Sequence, residues 1–257
     1  NHEGVVVGEG AHYVRFLTNY AGVYSQRFWY DKLGRIVLSQ NTKQHDNGTY
    51  SYSLYDAQGR VEEAGVKHEN TSSTGLHMRD IQGADVGGAF NPLAIEVSSS
   101  SGSSSTAPFM QWIAQGLNPS TGVNTTRTEV TRTKYDAPLV SGIPSFTQNN
   151  LRKRVSSVVY QKMYHSDASQ GYAHATHYSY DIHGNVNELV QDNPEMAVTS
   201  SLSDQRYKRL EYDYDLISGN VNRVSYQRGQ LDAWHHWYDY DADNRITQVY
   251  TSTHPDP

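Results

Sequence analysis

The chain has 257 residues, with 27 Asp and Glu against 21 Lys and Arg, a net charge of −6 and a mean hydropathy of −0.72. That length suffices for one large all-β domain or two small ones with a real core, and the acidic balance argues against a nucleic-acid backbone as the main partner. There is no cysteine, which excludes disulfides, a thiolate metal site and a cysteine nucleophile.

No apolar run approaches the ~20 residues that span a bilayer, so no membrane span is expected. The chain begins at Asn1 with no visible signal peptide, and both ends read as cut from something longer. Tyrosine dominates the aromatic content, with 20 Tyr against 5 Phe. Tyr suits a pleated, half-buried surface on which the ring packs and the hydroxyl reaches a polar partner.

In chain order, a short unit keeps returning. It first appears as Tyr30-Asp31-Lys32-Leu33-Gly34-Arg35-Ile36, then as Tyr55-Asp56-Ala57-Gln58-Gly59-Arg60-Val61. Residues 1–69 are therefore read as repeats with two clear copies. Residues 70–134 hold no clear copy and are read as divergent repeats or an insertion, with a serine-rich loop at 98–105. Within this stretch Pro108 to Gly116 is apolar enough to dock on something. Residues 135–257 are again repeats, continuing beyond the C-terminus. Tyr135-Asp136 starts a degraded copy that lacks its glycine and carries Pro138. Three clear copies follow. They are Tyr180-Asp181-Ile182-His183-Gly184-Asn185-Val186, the longer Tyr214-Asp215-Leu216-Ile217-Ser218-Gly219-Asn220-Val221, and Tyr240-Asp241-Ala242-Asp243-Asn244-Arg245-Ile246.

The unit has a physical reading. Asp opens a turn by accepting backbone N–H groups downstream. Gly three residues later supplies a positive φ at little cost, which makes a hairpin of a type I turn and a bulge residue. Asn244 stands where Gly is expected, and Asn is among the better non-glycine residues for that conformation. The flanks alternate as strands do, with Tyr178 and Tyr180, Tyr212 and Tyr214, and Tyr238 and Tyr240 each sharing a face. Five units predict about ten strands or more, and an open sheet of that size curls or closes. The expected fold is all-β, a curved sheet of consecutive antiparallel hairpins.

Candidate chemistry is sparse. Arg152-Lys153-Arg154 is a short basic run that reads as a solvated strand end. Asp239, Asp241, Asp243 and Asn244 resemble the start of a calcium loop, but Asn244 and Tyr250 occupy its obligatory Gly and Glu positions, and the turn already accounts for these residues. His174 with His177, and His235 with His236, are spaced so that the rings of each pair point to opposite faces of a strand, which makes no ready metal site. No cofactor is expected and no motif of an enzyme is visible. The cluster Trp234, His235, His236, Trp237 and Tyr238 offers Trp234 and Trp237 as candidate ligand contacts, for instance a platform for a sugar. Packing within the sheet is the simpler reading.

The repeated Tyr-Asp-x-x-Gly-Arg/Asn-Val/Ile unit resembles the YD or RHS repeat of bacterial RHS toxins, insecticidal toxin complex C subunits and animal teneurins. The resemblance covers residues 20–66 and 172–251. The stretches 174–198 and 212–250 look like the large RHS-repeat proteins of Bacteroidetes. It implies a hollow β-shell around a variable C-terminal toxin, in a secreted or cell-surface bacterial protein that does no chemistry itself. The implied partners are the remainder of its own polypeptide, with further YD repeats and a C-terminal effector. Secretion machinery or cell-surface ligands are further candidates. The alternative is an adhesin or binding module, possibly touching glycans through Trp234 and Trp237. The Asp-Pro-x-Gly boundary that supports self-cleavage in the family has no counterpart, because Asp256-Pro257 has no Gly after it.

Overall fold

A computed structural model of the chain describes residues 26–31, 33–69, 77, 108–140, 142–196 and 205–255. The serine-rich stretch 98–105, the rest of 78–107 and Asp256-Pro257 lie outside the described residues. The fold is all-β. Twelve strands are hydrogen-bonded in chain order: β1 (Gln26–Tyr30), β2 (Ile36–Asn41), β3 (Thr49–Tyr55), β4 (Val61–His68), β5 (Val123–Tyr135), β6 (Val155–His165), β7 (His174–Tyr180), β8 (Val186–Asp192), β9 (Tyr207–Tyr214), β10 (Val221–Tyr226), β11 (Trp234–Tyr240) and β12 (Ile246–Ser252). The hairpins are antiparallel. The chain forms two compact units, residues 1–132 with 161–171, and residues 133–160 with 172–257.

All five Tyr-Asp copies sit in the turns of hairpins β1–β2, β3–β4, β7–β8, β9–β10 and β11–β12. Each hairpin carries a second irregularity that the repeat itself does not announce. Trp29 faces Leu38 but Tyr30 faces Ile36, so Val37 is an extra residue. Glu62, Asn187, Asn222 and Thr247 occupy the same place in the other four hairpins. These are β-bulges. In β2 the bulge lets two consecutive side chains, Val37 and Leu38, reach one core, where plain alternation would bury only one of them.

The core of the first unit joins Trp29, Val37, Leu38 and Tyr52 to Phe109, Trp112 and Ile113. The last three come from a short helix, α2 (Pro108–Ala114), whose apolar residues dock on the hairpins. Trp112 meets Tyr50 edge-on, with ring centroids 5.4 Å apart. A further short helix, α1 (Thr42–Asp46), links β2 to β3. Asn41 caps it by accepting from the Gln44 N–H, and the Gln44 side chain accepts from the Asn41 N–H in return, a reciprocal arrangement that satisfies two orphan donors.

Beside Ile143, Leu151 and Tyr180, the buried positions of the second unit are small or polar. Val159, Ala175, Val190 and Ala233 share the interior with Ser156, Ser157, His177, Ser179, Ser225 and His235. A side chain that is polar and buried needs a partner across the strands.

Candidate functional site

The most repeated construction in the molecule is the way one hairpin holds the next. It starts inside the turn. Asp31 accepts from the N–H groups of Leu33 and Arg35, both at 2.9 Å, and the Arg35 guanidinium closes back on the carboxylate at 2.6 Å. Asp56 does the same with Gln58 and Arg60. In the third copy the Asn185 amide replaces the arginine, 3.0 Å from Asp181. Burial works against ionisation of Asp31, but the Arg35 N–H, the Arg35 side chain and the Leu33 N–H outweigh it and hold the carboxyl below its usual range. Gly184 at φ 101° and Asn244 at φ 61° take the left-handed position that closes the turn.

The motif tyrosine then reaches backwards. Tyr55 Oη donates to the Ile36 carbonyl at 2.8 Å, Tyr214 to Val186 at 2.9 Å and Tyr240 to Val221 at 2.8 Å. In each case the acceptor is the residue just after the motif Arg or Asn of the preceding hairpin. The Arg35 guanidinium lies over the Tyr55 ring, 4.3 Å from its centroid. Replacing Tyr214 by Phe removes one such bond and leaves the Val186 carbonyl to find water. Its expected cost is about 1 kcal/mol, measured by chemical denaturation, and no measurable loss would show that the bond does not hold hairpins together.

This pattern exposes a sixth copy. Tyr180 Oη donates to the Val155 carbonyl at 2.7 Å, and the Arg154 guanidinium sits 5.3 Å from the Tyr180 ring centroid. The Asp136 N–H donates to the Arg154 carbonyl at 3.2 Å, as Asp31 does to Arg35. Lys153, at φ 60°, stands in the glycine place. Tyr135-Asp136 and Lys153-Arg154-Val155 are thus the two halves of one repeat, split by residues 137–152. Arg152 and Lys153 are exposed, as a solvated strand end should be, whereas Arg154 is a working member of the stitch. The intervening segment lies along β7. Gln148 Nε2 donates to the Tyr178 carbonyl at 2.9 Å, Asn149 N–H to Ser179 Oγ at 3.1 Å and Asn150 Nδ2 to the Tyr180 carbonyl at 2.8 Å.

The motif glycine has a second reason to be glycine. A Cβ on Gly184 would stand 2.6 Å from Arg154 Nη2, and one on Gly59 would stand 3.3 Å from Arg35 Nη1. Where the preceding hairpin carries Asn instead, the position opens. A Cβ on Gly219, which follows Asn185, would meet nothing within 4 Å. After Asn220 a real side chain is present, and Asn220 Nδ2 donates to Asn244 Oδ1 at 2.9 Å. Gly184→Ala should therefore cost more than Gly219→Ala, although both positions have positive φ. The excess, about 1 kcal/mol or more, should shrink when Arg154 is also changed to Ala. Equal losses in thermal melts would remove the contact as the cause.

Other polar groups are buried rather than displayed. In the first unit Glu63 accepts from Tyr52 Oη at 2.6 Å and pairs with Arg127, whose guanidinium lies 3.5 Å from the centroid of the Tyr164 ring. Lys67, fully buried, donates to the Gln115 carbonyl at 3.0 Å and to Thr126 Oγ1. Burial pushes its ammonium down to about 8, against the opposing pull of Glu69. In the second unit Asp192 accepts from Arg206 Nε at 2.6 Å, from Arg206 Nη2 at 3.0 Å and from Tyr172 Oη at 2.6 Å.

The histidines divide by strand parity. His177 is fully buried, with Nδ1 2.8 Å from Ser157 Oγ and Nε2 without a hydrogen-bond partner among the described residues. His174 stacks on Tyr160 instead, with ring centroids 4.9 Å apart. His235 repeats the buried arrangement, with Nδ1 2.9 Å from Ser225 Oγ. Burial is the main influence that lowers the pKa of His177, with Asp192 opposing and Arg206 adding to it. The unfolded chain takes up a proton near pH 6.5 that the folded chain resists, so stability should fall as pH drops from about 6.5 toward the lower folded value. His177→Gln should flatten the dependence of Tm on pH between about 7 and 5.5. A slope unchanged from the parent chain would rule His177 out as its source.

Trp234 and Trp237 do not come together. Three residues apart on β11, they project from opposite faces. Trp234, 44% exposed, donates from Nε1 to His236 Nε2 at 2.7 Å, and His236 stacks on Tyr238. Trp237 lies beside His235, with ring centroids 5.6 Å apart. Any aromatic platform is thus Trp234, His236 and Tyr238. Asp241, the centre of the calcium-like run, already accepts from the Asp243 and Arg245 N–H groups. Among the described residues no group of three or more His, Asp or Glu is placed to hold a metal.

A shallow groove of about 380 Å³ lies over β8, β9 and β10, lined by Glu188, Glu211, Asp213, Tyr212 and Arg223 among others. Glu188 faces Glu211 directly across the strands. Arg209 Nε lies 2.9 Å from Glu188 Oε1, an ion pair at an angle that makes no hydrogen bond. Burial raises the Glu188 pKa, Arg209 opposes the rise and Glu211 adds to it.

No protein-family model matches the sequence, and no curated protein does. Among solved structures, the chain is similar to one described as the Photorhabdus luminescens Tc holotoxin pore with the TccC3 mutation D651A, at 12% identity and a TM-score of 0.36. That match covers 89% of this chain and 9% of the other. It is also similar to a TcdB2-TccC3 structure lacking the hypervariable C-terminal region, at 12% identity and a TM-score of 0.38, covering 90% of this chain and 9% of that one. The chain thus spans under a tenth of the length of the structures it matches.

Proposed function

We propose that this chain is a structural segment of a YD-repeat β-shell that encloses or carries a C-terminal effector of a larger secreted protein. The observation that carries this reading is the stitch itself. At four junctions a hairpin supplies a carbonyl, with an Arg or Asn just before it, to the tyrosine of the next hairpin. A construction that spends its recurring residues on joining hairpins suits a wall. On this reading the chain has no catalytic residue and takes no cofactor, and its partners are the rest of its own polypeptide. A secreted or cell-surface location belongs to the same proposal.

Limited proteolysis with mass spectrometry on the full-length parent protein tests it. A protected C-terminal fragment that is toxic when expressed alone is the expected result. A parent that appears in electron microscopy as an extended rod with no enclosed volume would overturn the enclosure. A second reading, an adhesin that touches glycans, has one observation in its favour. Trp234 is half exposed beside His236 and Tyr238, and aromatic faces of this kind stack on sugars. A glycan array on which the chain and its Trp234→Ala variant bind alike would dismiss it.

A further inference from the structure

The end of α2 and the start of β5 enclose a polar cluster that the hairpin stitch does not use. Lys67 on β4 and Asn124 on β5 are both fully buried, and so is Trp112, whose ring centroid lies 5.4 Å from Lys67 Nζ. Lys67 Nζ donates to the Gln115 carbonyl at 3.0 Å and to Thr126 Oγ1. The Asn124 side-chain amide converges on the same two groups. Its Nδ2 donates to the Gln115 carbonyl at 3.0 Å and to the Ala114 carbonyl at 3.2 Å, and its Oδ1 lies 2.9 Å from Thr126 Oγ1. An amine and an amide therefore share both neighbours inside a region closed to water. Gly116, at φ 87°, permits this approach, since a Cβ there would stand 2.8 Å from Thr126 Oγ1 and 3.0 Å from Asn124 Oδ1.

We propose that Lys67 and Asn124 are a self-cross-linking pair, joined by an isopeptide bond from Lys67 Nζ to Asn124 Cγ. The Lys67 ammonium gives up one proton and the free amine attacks the amide carbon. The Nζ–Cγ bond forms, the Cγ–Nδ2 bond breaks, a second amine proton moves to the departing nitrogen, and ammonia leaves. Ammonia takes up the first proton, so the products are a secondary amide and an ammonium ion, and nothing is oxidised or reduced. Each requirement of the step has a group in place. Burial pushes the Lys67 ammonium down to about 8, against the pull of Glu69, so that near neutral pH a share of chains holds the nucleophilic free amine. The Thr126 N–H donates to Asn124 Oδ1 at 2.9 Å, where negative charge develops on attack. Thr126 Oγ1 touches both the amine and the amide and is placed to relay the proton. Two shared partners hold the reacting groups together, which lowers the entropic part of the barrier. A buried ammonium on neutral oxygens is costly, and the amide abolishes that charge. In a chain without cysteine the bond supplies a covalent tie between β4 and β5 that no disulfide could. This inference does not rest on the shell reading.

Intact-mass spectrometry of the whole 257-residue chain, its folding checked by near-UV circular dichroism, should read one ammonia below the mass of the sequence. Digestion of the chain, or of the full-length parent protein, should release a branched peptide joining the segments that carry Lys67 and Asn124. Lys67→Met and Asn124→Ala should each return the chain to the mass of its own sequence and remove the branched peptide. A folded parent chain at the full mass of its sequence would overturn the proposal. So would an ammonia loss that persists in Lys67→Met, because it would then come from another site, such as ring closure at Asn47-Gly48. Should the variants fail to fold, the peptide map of the unaltered protein decides, with a branched peptide upholding the bond and linear peptides alone refuting it.

Discussion

Glu63→Ala should lower the stability of the first unit by about 3–5 kcal/mol. The carboxylate and the Arg127 guanidinium are both nearly buried, with side chains 7% and 6% exposed. Tyr52 donates to Glu63, Arg132 approaches it at 3.5 Å, and the Arg127 guanidinium is further enclosed by Tyr164. Removing the anion leaves a desolvated cation with no compensating charge, and that term exceeds the modest net worth of the pair itself. The double variant Glu63→Ala/Arg127→Met removes the stranded charge along with its partner, so it should recover a large part of the loss. Denaturant unfolding of the single and double variants measures this. A loss below about 1 kcal/mol for Glu63→Ala, the range of a surface pair, would show that water reaches the cluster.

The second large effect concerns α2. Trp112→Ala should cost about 3–5 kcal/mol, because the indole is fully buried between Phe109 and Tyr50 and the sheet beneath it cannot close the hole. The site is also held from below, since Lys67 donates to the Gln115 carbonyl just past the helix end and lies 5.4 Å from the Trp112 ring centroid. Hydrogen exchange should show faster opening of β2 and β3 in the variant, while β9 to β12 keep their protection. Uniform loss of protection would mean that the two units unfold as one.

The hairpins were legible because their turns obey local chemistry. Asp bonds its own downstream backbone, and Gly or Asn takes the left-handed position, so a handful of adjacent residues announces the turn. Copies separated by an insertion were not legible in the same way. Tyr135-Asp136 lost its signal because its closing half, Lys153-Arg154-Val155, lies beyond residues 137–152, and a lysine holds the left-handed φ. The sequence sign that remained was the Arg-Val pair, which also follows the glycine in the second copy. The separation of Trp234 from Trp237 was readable from their spacing alone, by the parity that separates His235 from His236. The buried Ser–His pairs were not, because alternation says which side chains share a face but not which strand lies opposite. Helix α2 showed only as an apolar run, since its partners Trp29, Leu38 and Tyr52 are distant in the chain.

The fit of a motif arginine over the next motif glycine makes the hairpins non-interchangeable. Each turn is half of a two-letter spelling whose other half is written one hairpin later. Arg before Gly and Asn before Asn are both allowed pairs, and Asn before Gly leaves room to spare. The split copy departs from this pattern, since Lys153 stands in the glycine place after the Arg60 of the preceding hairpin. A gene that lengthens by copying single unbroken hairpins therefore meets this fit at each new junction. Among relatives of this chain, the two positions should change in concert across the boundary between hairpins and drift independently within one.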